Sequence, residues 1–278
     1  MPIHVLPFEK MHGLGNDFIL VERRNLPQNI NEPLLSKILC NRHYGIGADG
    51  LIIVDFANKK EADFVWDYYN SDGSEAEMCG NGMRCFAKYV YERGLTDNNS
   101  FLVLTKAGVI KPQLEEDGTV TVCMGIPKLP SNLQEKLTLN GSEITYTYIE
   151  VGNPHCVMFL NKYPDDNYFF KLGPEIEINN QFPNRINVNF AQILNKNTIN
   201  LRVWERGAGA TLACGTGACA TLVASNINNL TEPRASVNLP GGTITVYWNK
   251  EDGNVYLNGE ASFVYTGEFN LNTKLVSS

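Results

Sequence analysis

No long hydrophobic run occurs in this 278-residue sequence. Stretches such as Leu51 to Val54 and Phe101 to Leu104 fall far short of the about 20 residues that cross a bilayer, which excludes a membrane-spanning helix. A basic face is lacking too. Asp and Glu number 30 against 23 Lys and Arg, for a net charge of −7 and a pI near 5.2. No Lys/Arg cluster offers what a phosphate backbone needs, so no nucleic-acid partner is expected. Cys-x-x-Cys pairs are absent, which removes the commonest redox and zinc-ribbon signals. The seven cysteines, at 40, 79, 85, 123, 156, 214 and 219, are odd in number. A chain this long does not need staples, so a secreted disulfide framework is not expected. Residues 1–10 hold two prolines and a glutamate and no basic stretch leading into an apolar one. No secretory signal is read there, and a cytoplasmic protein is expected. What is present is a chain 43% hydrophobic and 19% charged. That balance supports a sizeable core in one large or two ordinary domains and excludes disorder.

A degenerate internal repeat runs through it. Cys79-Gly-Asn-Gly-Met-Arg-Cys in the first half matches Cys214-Gly-Thr-Gly-Ala-Cys in the second, offset by 135 residues. Gly15-Asn16 and Gly152-Asn153 are offset by 137, and Val65-Trp66 and Val203-Trp204 by 138. Three matches in one order imply two copies of one unit, with a boundary near Pro127 to Pro130.

Both halves read as strand-rich. Runs 5–11, 17–22, 51–56, 63–69 and 101–105, then 146–151, 155–160, 200–205, 243–249 and 254–258, are β-branched and aromatic and bounded by Gly, Asn or Asp. Glu115-Glu-Asp-Gly118 and Glu251-Asp-Gly253 read as hairpin turns. Three helices are expected. One is a short helix over 33–40. The second, over 81–93, has Met83, Phe86, Ala87, Val90 and Tyr91 on one face. The third, over 216–225, is small and apolar on nearly every side and so fully buried. Each half then wraps strands around one central helix, with Cys-Gly-x-Gly at that helix's start.

A helix N-terminus carries unpaired N–H groups and the positive end of the dipole. It lowers a thiol pKa from about 8.5 toward neutrality and binds carboxylates. Flanking glycines let a ligand approach the backbone closely. Two such cysteines, related by a repeat, suit inversion of a stereocentre. One thiolate removes an α-proton, and the opposite thiol returns a proton to the other face. Helix N–H groups hold the carboxylate as charge spreads into it. The competing reading is that both motifs are only tight turns into buried helices.

The motifs Met11-His-Gly-Leu-Gly-Asn-Asp-Phe18, Asn70-Ser-Asp-Gly-Ser-Glu75, Cys79-Gly-Asn-Gly82, Gly152-Asn-Pro-His-Cys156 and Glu205-Arg-Gly-Ala-Gly209, with Cys214-Gly-Thr-Gly-Ala-Cys219, stand in this order over about residues 8–225. Together they resemble the diaminopimelate epimerase family. The resemblance implies an α+β fold of two pseudo-symmetric lobes, each a strand-rich, barrel-like unit around a central helix. It places one lobe at 1–122 plus 265–278 and the other at 123–264, with the substrate in the cleft between them. It implies a cofactor-independent epimerase that interconverts LL- and meso-diaminopimelate, in lysine and peptidoglycan biosynthesis. No metal and no nucleic-acid or membrane partner is implied; a homodimer is.

Carried over residue by residue, the resemblance makes Cys79 and Cys214 catalytic and His155 and Glu205 tuners of their ionisation. Asn16, Asn70, Asn153, Asn187, Glu205 and Arg206 become substrate-binding residues. Amide side chains both donate and accept, and an adjacent Glu–Arg pair suits an ammonium and a carboxylate. Backbone N–H groups of Gly80, Asn81, Gly215 and Thr216 fit the reacting carboxylate. Asparagine is as often a turn former, an adjacent Glu–Arg pair is more often a solvated surface feature, and a histidine after a strand is more often simply hydrogen-bonded. Cys85 and Cys219 read as packing residues. One departure stands at Ala48-Asp49-Gly50, where many family members carry a glutamine that touches substrate. That contact is then lost, taken by water or supplied by Asp49.

Three rivals are weighed. A proline or hydroxyproline racemase on the same fold has no distal carboxylate for Glu205 and Arg206 to recognise. A redox switch would join Cys79 and Cys214 in a disulfide. Zinc held by Cys and His155 fits no standard ligand spacing.

Overall fold

The computed structural model describes residues 3–58, 60–139 and 141–272. The chain forms two compact units, Met1–Val122 with Glu260–Ser278, and Cys123–Gly259. Within the segment expected to return to the first lobe, residues 273–278 lie outside the described residues.

In the first unit, β1 (Ile3–Gly13) and β2 (Asn16–Glu22) form an antiparallel pair. After α1 (Glu32–Cys40) come β3 (Gly50–Phe56) and β4 (Phe64–Asn70), then α2 (Gly80–Glu92). The strands β5 (Val103–Thr105) and β6 (Gly108–Ile110) follow, and then the β7 (Gln113–Leu114) and β8 (Val120–Cys123) pair. In the second unit β9 (Glu135–Leu139), β10 (Ser142–Val151) and β11 (Asn153–Phe159) precede α3 (Asp166–Glu177). Then come β12 (Asn187–Asn195), β13 (Thr198–Glu205), β14 (Gly209–Ala210), α4 (Gly215–Ile227), β15 (Arg234–Leu239), β16 (Gly242–Trp248) and β17 (Val255–Gly259). Finally β18 (Ser262–Asn272) pairs antiparallel with β1.

The repeat in the sequence is a repeat in topology. In the first unit β1–β2 is antiparallel, β2–β3 parallel, β3–β4 antiparallel, β4–β5 parallel and β5–β6 antiparallel. In the second, β10–β11, β11–β12, β12–β13, β13–β15 and β15–β16 repeat that alternation. A helix bridges each first parallel pair, α1 or α3. A second helix, α2 or α4, bridges the other.

These helices sit where the hydrophobic pattern requires. Met83, Phe86, Ala87 and Val90 of α2 are buried, and α2 lies against β1, β2 and β3. Tyr91, expected on the same face, is instead 41% exposed. In α4 every residue from Gly217 to Ser225 is buried, against β10, β11, β12, β15, β16 and β17. Such a helix must be small to fit inside the curl of a sheet. The helix α3 was not among the three expected. Asp165 caps it by accepting the Tyr168 N–H at 2.8 Å, but Gly173-Pro174 within it breaks the usual helical signature. Both predicted hairpin turns form, joining β7 to β8 and β16 to β17. Among the described residues no helix is long and apolar enough to cross a membrane.

Candidate active site

Both cysteine motifs stand at helix starts. Cys79 is the residue before α2, with extended backbone at φ −142° and ψ 119°; Cys214 takes the same place before α4, at φ −126° and ψ 107°. The N–H groups of Gly80 and Asn81, and of Gly215 and Thr216, belong to the first turns of these helices.

In the first unit Asn16 opens β2, and its Oδ1 accepts from Asn81 Nδ2 at 3.1 Å and from the Cys79 thiol at 3.7 Å. Its Nδ2 donates to Asp49 Oδ2 at 2.9 Å. Asn70 closes β4 and donates to Ser74 Oγ at 3.0 Å, inside the Ser-Asp-Gly-Ser turn. Gly50 is paired with Asn70 across β3 and β4. A Cβ there would run into the Tyr68 ring and stand 2.9 Å from the Tyr69 carbonyl oxygen, so position 50 has no room for a side chain.

In the second unit Cys214 is 4% exposed, and its sulfur accepts the Gly217 N–H at 3.3 Å. Burial, followed by the nearby Glu205 carboxylate, pushes this thiol well above its ordinary pKa, against hydrogen bonds from Thr216 and Gly217. Thr211 Oγ1 donates to Glu205 Oε1 at 2.5 Å. Arg206 follows, its N–H donating to Asn187 Oδ1 at 3.0 Å, while Asn187 Nδ2 donates to the Pro154 carbonyl at 2.8 Å. Asn187 thus ties the Glu205-Arg206 segment to the Asn153-Pro154-His155 segment.

His155 is fully buried, and burial lowers its pKa to about 4 despite a hydrogen bond to Asn189. At neutral pH it is an imidazole. Asn189 Nδ2 donates to the Gly217 carbonyl at 2.8 Å and to Thr221 Oγ1 at 2.9 Å, so its Oδ1 faces His155 Nδ1 at 3.1 Å as an acceptor. The ring proton therefore sits on Nδ1. Asn153 Oδ1 stands 2.8 Å from Nε2, and against that bare nitrogen the Asn153 carboxamide has to turn its Nδ2 to the ring in order to donate. Asn189 was not singled out from sequence. Its signal was its place two residues after Asn187, on the same strand face.

The second-unit residues Cys214, Gly215, Thr216, Glu205, Arg206, Asn187, Asn153 and His155 thus stand in one hydrogen-bonded neighbourhood around the start of α4. Cys79, Gly80, Asn81 and Asn16 form another around α2. Cys85 and Cys219 are fully buried inside the helices, and burial pushes the Cys85 thiol up to about 12. Among the described residues no group of three His, Cys, Asp or Glu side chains is placed to hold a metal ion.

The sequence model of the family described as "Diaminopimelate epimerase" matches residues 8–130 and 147–264. A "Diaminopimelate epimerase" of Synechococcus sp. (strain JA-3-3Ab) is 45% identical over 278 residues, covering 94% of this chain and 97% of its own. One of Heliobacterium modesticaldum is 43% identical, covering 96% and 100%. Among solved structures, a hydroxyproline epimerase from Agrobacterium vitis superposes with a TM-score of 0.73 at 15% identity, covering 99% of this chain and 95% of its own. That last likeness is one of fold.

Proposed function

The chain belongs to the diaminopimelate epimerase family, and we propose that it interconverts LL- and meso-2,6-diaminopimelate with Cys79 and Cys214 as the two bases. It does so without a pyridoxal cofactor, in the cytoplasm and as a homodimer. One observation carries the reading: each unit sets a cysteine immediately before a helix that opens on Gly-x-Gly.

Thiolate at one cysteine takes the α-proton, so the C–H bond breaks and its electron pair stays on carbon, delocalised into the carboxylate. The thiol of the other cysteine gives its proton to the opposite face, and a new C–H bond forms with inverted configuration. The enzyme is left with its two sulfurs in exchanged protonation states, which suit the reverse reaction. The N–H groups at the starts of α2 and α4 stabilise the carboxylate as charge develops. Glu205 raises the affinity of Cys214 for a proton. That helps this sulfur accept a proton once ionised and opposes ionisation in the resting state. Arg206 and the asparagines hold the distal amino-acid end.

The test is proton NMR of LL-diaminopimelate with reduced protein in deuterated buffer and no pyridoxal phosphate. Appearance of meso product carrying α-deuterium is the expected outcome. No exchange by folded, fully reduced protein would overturn the reading.

A further inference from the structure

Asn16 stands between partners of opposite requirement. Turned over, its carboxamide would set Oδ1 against Asp49 Oδ2, two acceptors, and Nδ2 against Asn81 Nδ2, two donors. Asn81 is itself a carboxamide and can turn in response. Asp49 cannot, because a carboxylate only accepts. The polarity of the whole chain Asp49–Asn16–Asn81/Cys79 is therefore set at Asp49.

Asp49 is in turn held in place. Its Oδ1 accepts from Arg42 at 2.8 Å, and its Oδ2 accepts the Asp17 N–H at 3.2 Å. Its own N–H reaches the Asp17 carbonyl and Asp17 Oδ1, each at 3.0 Å. Asp17 also binds Arg42 and, at 2.7 Å, Lys10. Against burial, hydrogen bonds from Arg42 and Lys10 hold Asp17 down at about 2. The charged groups on this side of the thiol are thus Lys10 of β1, Asp17 of β2, and Arg42 and Asp49 of the segment before β3. Exposed Glu77 precedes Cys79 in the chain, and Arg84 of α2 bonds through Nε to the Glu260 carbonyl.

The geometry points to Asp49 as a positioning residue for Cys79. By fixing which end of the Asn16 carboxamide faces the sulfur, it holds Cys79 as a thiol donating to a carbonyl oxygen. A thiolate there would face the lone pairs of that oxygen; without Asp49 the carboxamide turns and offers it an N–H instead. This rests on the reading of Cys79 as a reacting thiol and adds what keeps it protonated at rest.

The experiment is alkylation by iodoacetamide from pH 6 to 10, read at the Cys79 peptide by mass spectrometry. It uses the full chain as wild type, Asp49→Asn, Asn16→Ala and the double variant. Asp49 is 45% exposed at its side chain, so the fold tolerates the change, and thermal melting checks this. Asp49→Asn is expected to lower the pH midpoint of labelling by about one unit when Asn16 is present. In the Asn16→Ala background the same change is expected to leave the midpoint where it was. An equal shift in both backgrounds would mean through-space charge alone and overturns the proposal, as does no shift or a rise. The readout needs no diaminopimelate, so a silent epimerase assay sinks the function and leaves the decision on Asp49 intact.

Discussion

The indole N–H of Trp204 donates to Glu177 Oε2 at 2.8 Å, joining the end of β13 to the end of α3. The other oxygen of Glu177 accepts the Gly207 N–H at 2.9 Å. One buried carboxylate, 6% exposed, therefore grips the chain on both sides of Glu205-Arg206. The Trp204 ring lies over Gly173, where a Cβ would come within 2.7 Å of it. The helix that escaped the sequence reading is thus the support for the segment that reading placed in the substrate site.

Glu177→Gln replaces one of two accepting oxygens by a donor, which leaves either the Trp204 or the Gly207 N–H facing an N–H. A hydrogen bond to a charged group contributes about 1.5–3 kcal/mol. Steady-state kinetics should show KM for diaminopimelate raised about tenfold with kcat changed far less, because the loss falls on binding at Glu205 and Arg206. An unchanged KM with a lowered melting temperature would make Glu177 a purely structural residue.

Gly82 faces the core from the first turn of α2. A Cβ there would stand 2.8 Å from the Trp66 ring and 3.3 Å from Phe18. Both rings are themselves buried against neighbours, so neither can yield freely. Ordinarily Gly→Ala in a helix stabilises; here overpacking, worth about 1–3 kcal/mol, should win. Denaturant unfolding of Gly82→Ala should show that loss, with the Cys79 side of the site disturbed as well.

Local pattern carried the central helices, since Met83, Phe86, Ala87 and Val90 recur at helical spacing and α4 is uniformly small and apolar. It did not carry β12, whose Asn187 and Asn189 depress strand propensity. They are buried because each is hydrogen-bonded on both ends of its amide, a tertiary fact no window of sequence contains. The pairing of β18 with β1 joins residues some 260 positions apart and is equally invisible locally. The carboxylate of Asp49 was visible beside Gly50, but that it faces Asn16, 33 residues away, was not.

Cys79→Ser and Cys214→Ser should each abolish net epimerisation, by at least a thousandfold, while leaving the melting temperature nearly unchanged. Serine is close to cysteine in size but ionises far less readily, and inversion needs both faces served. Turnover near the wild-type rate in either variant would break the two-base assignment. Retention of α-deuterium exchange in one variant, without inversion, would identify which sulfur serves which isomer.

Stability should drop as the pH is lowered because of His155. Unfolded, this ring takes a proton near pH 6.5; folded, burial holds that step down to about 4. Between these values the unfolded chain binds the extra proton, so the contribution is fully present above pH 6.5 and is lost as pH falls toward 4. From pH 7 to pH 5 the loss is about 2 kcal/mol by linkage. His155→Gln lacks the titration and can still donate to Asn189 Oδ1, so its urea-unfolding free energy should be lower at pH 7 yet flatter over that range by about that amount. Parallel pH profiles for the two proteins would mean that His155 is protonated in the folded state. Its Nδ1–H would still face Asn189, and Nε2 would then carry a proton of its own and donate it to Asn153 Oδ1, which already stands 2.8 Å away. The orientation of Asn153 therefore depends on the outcome of this titration.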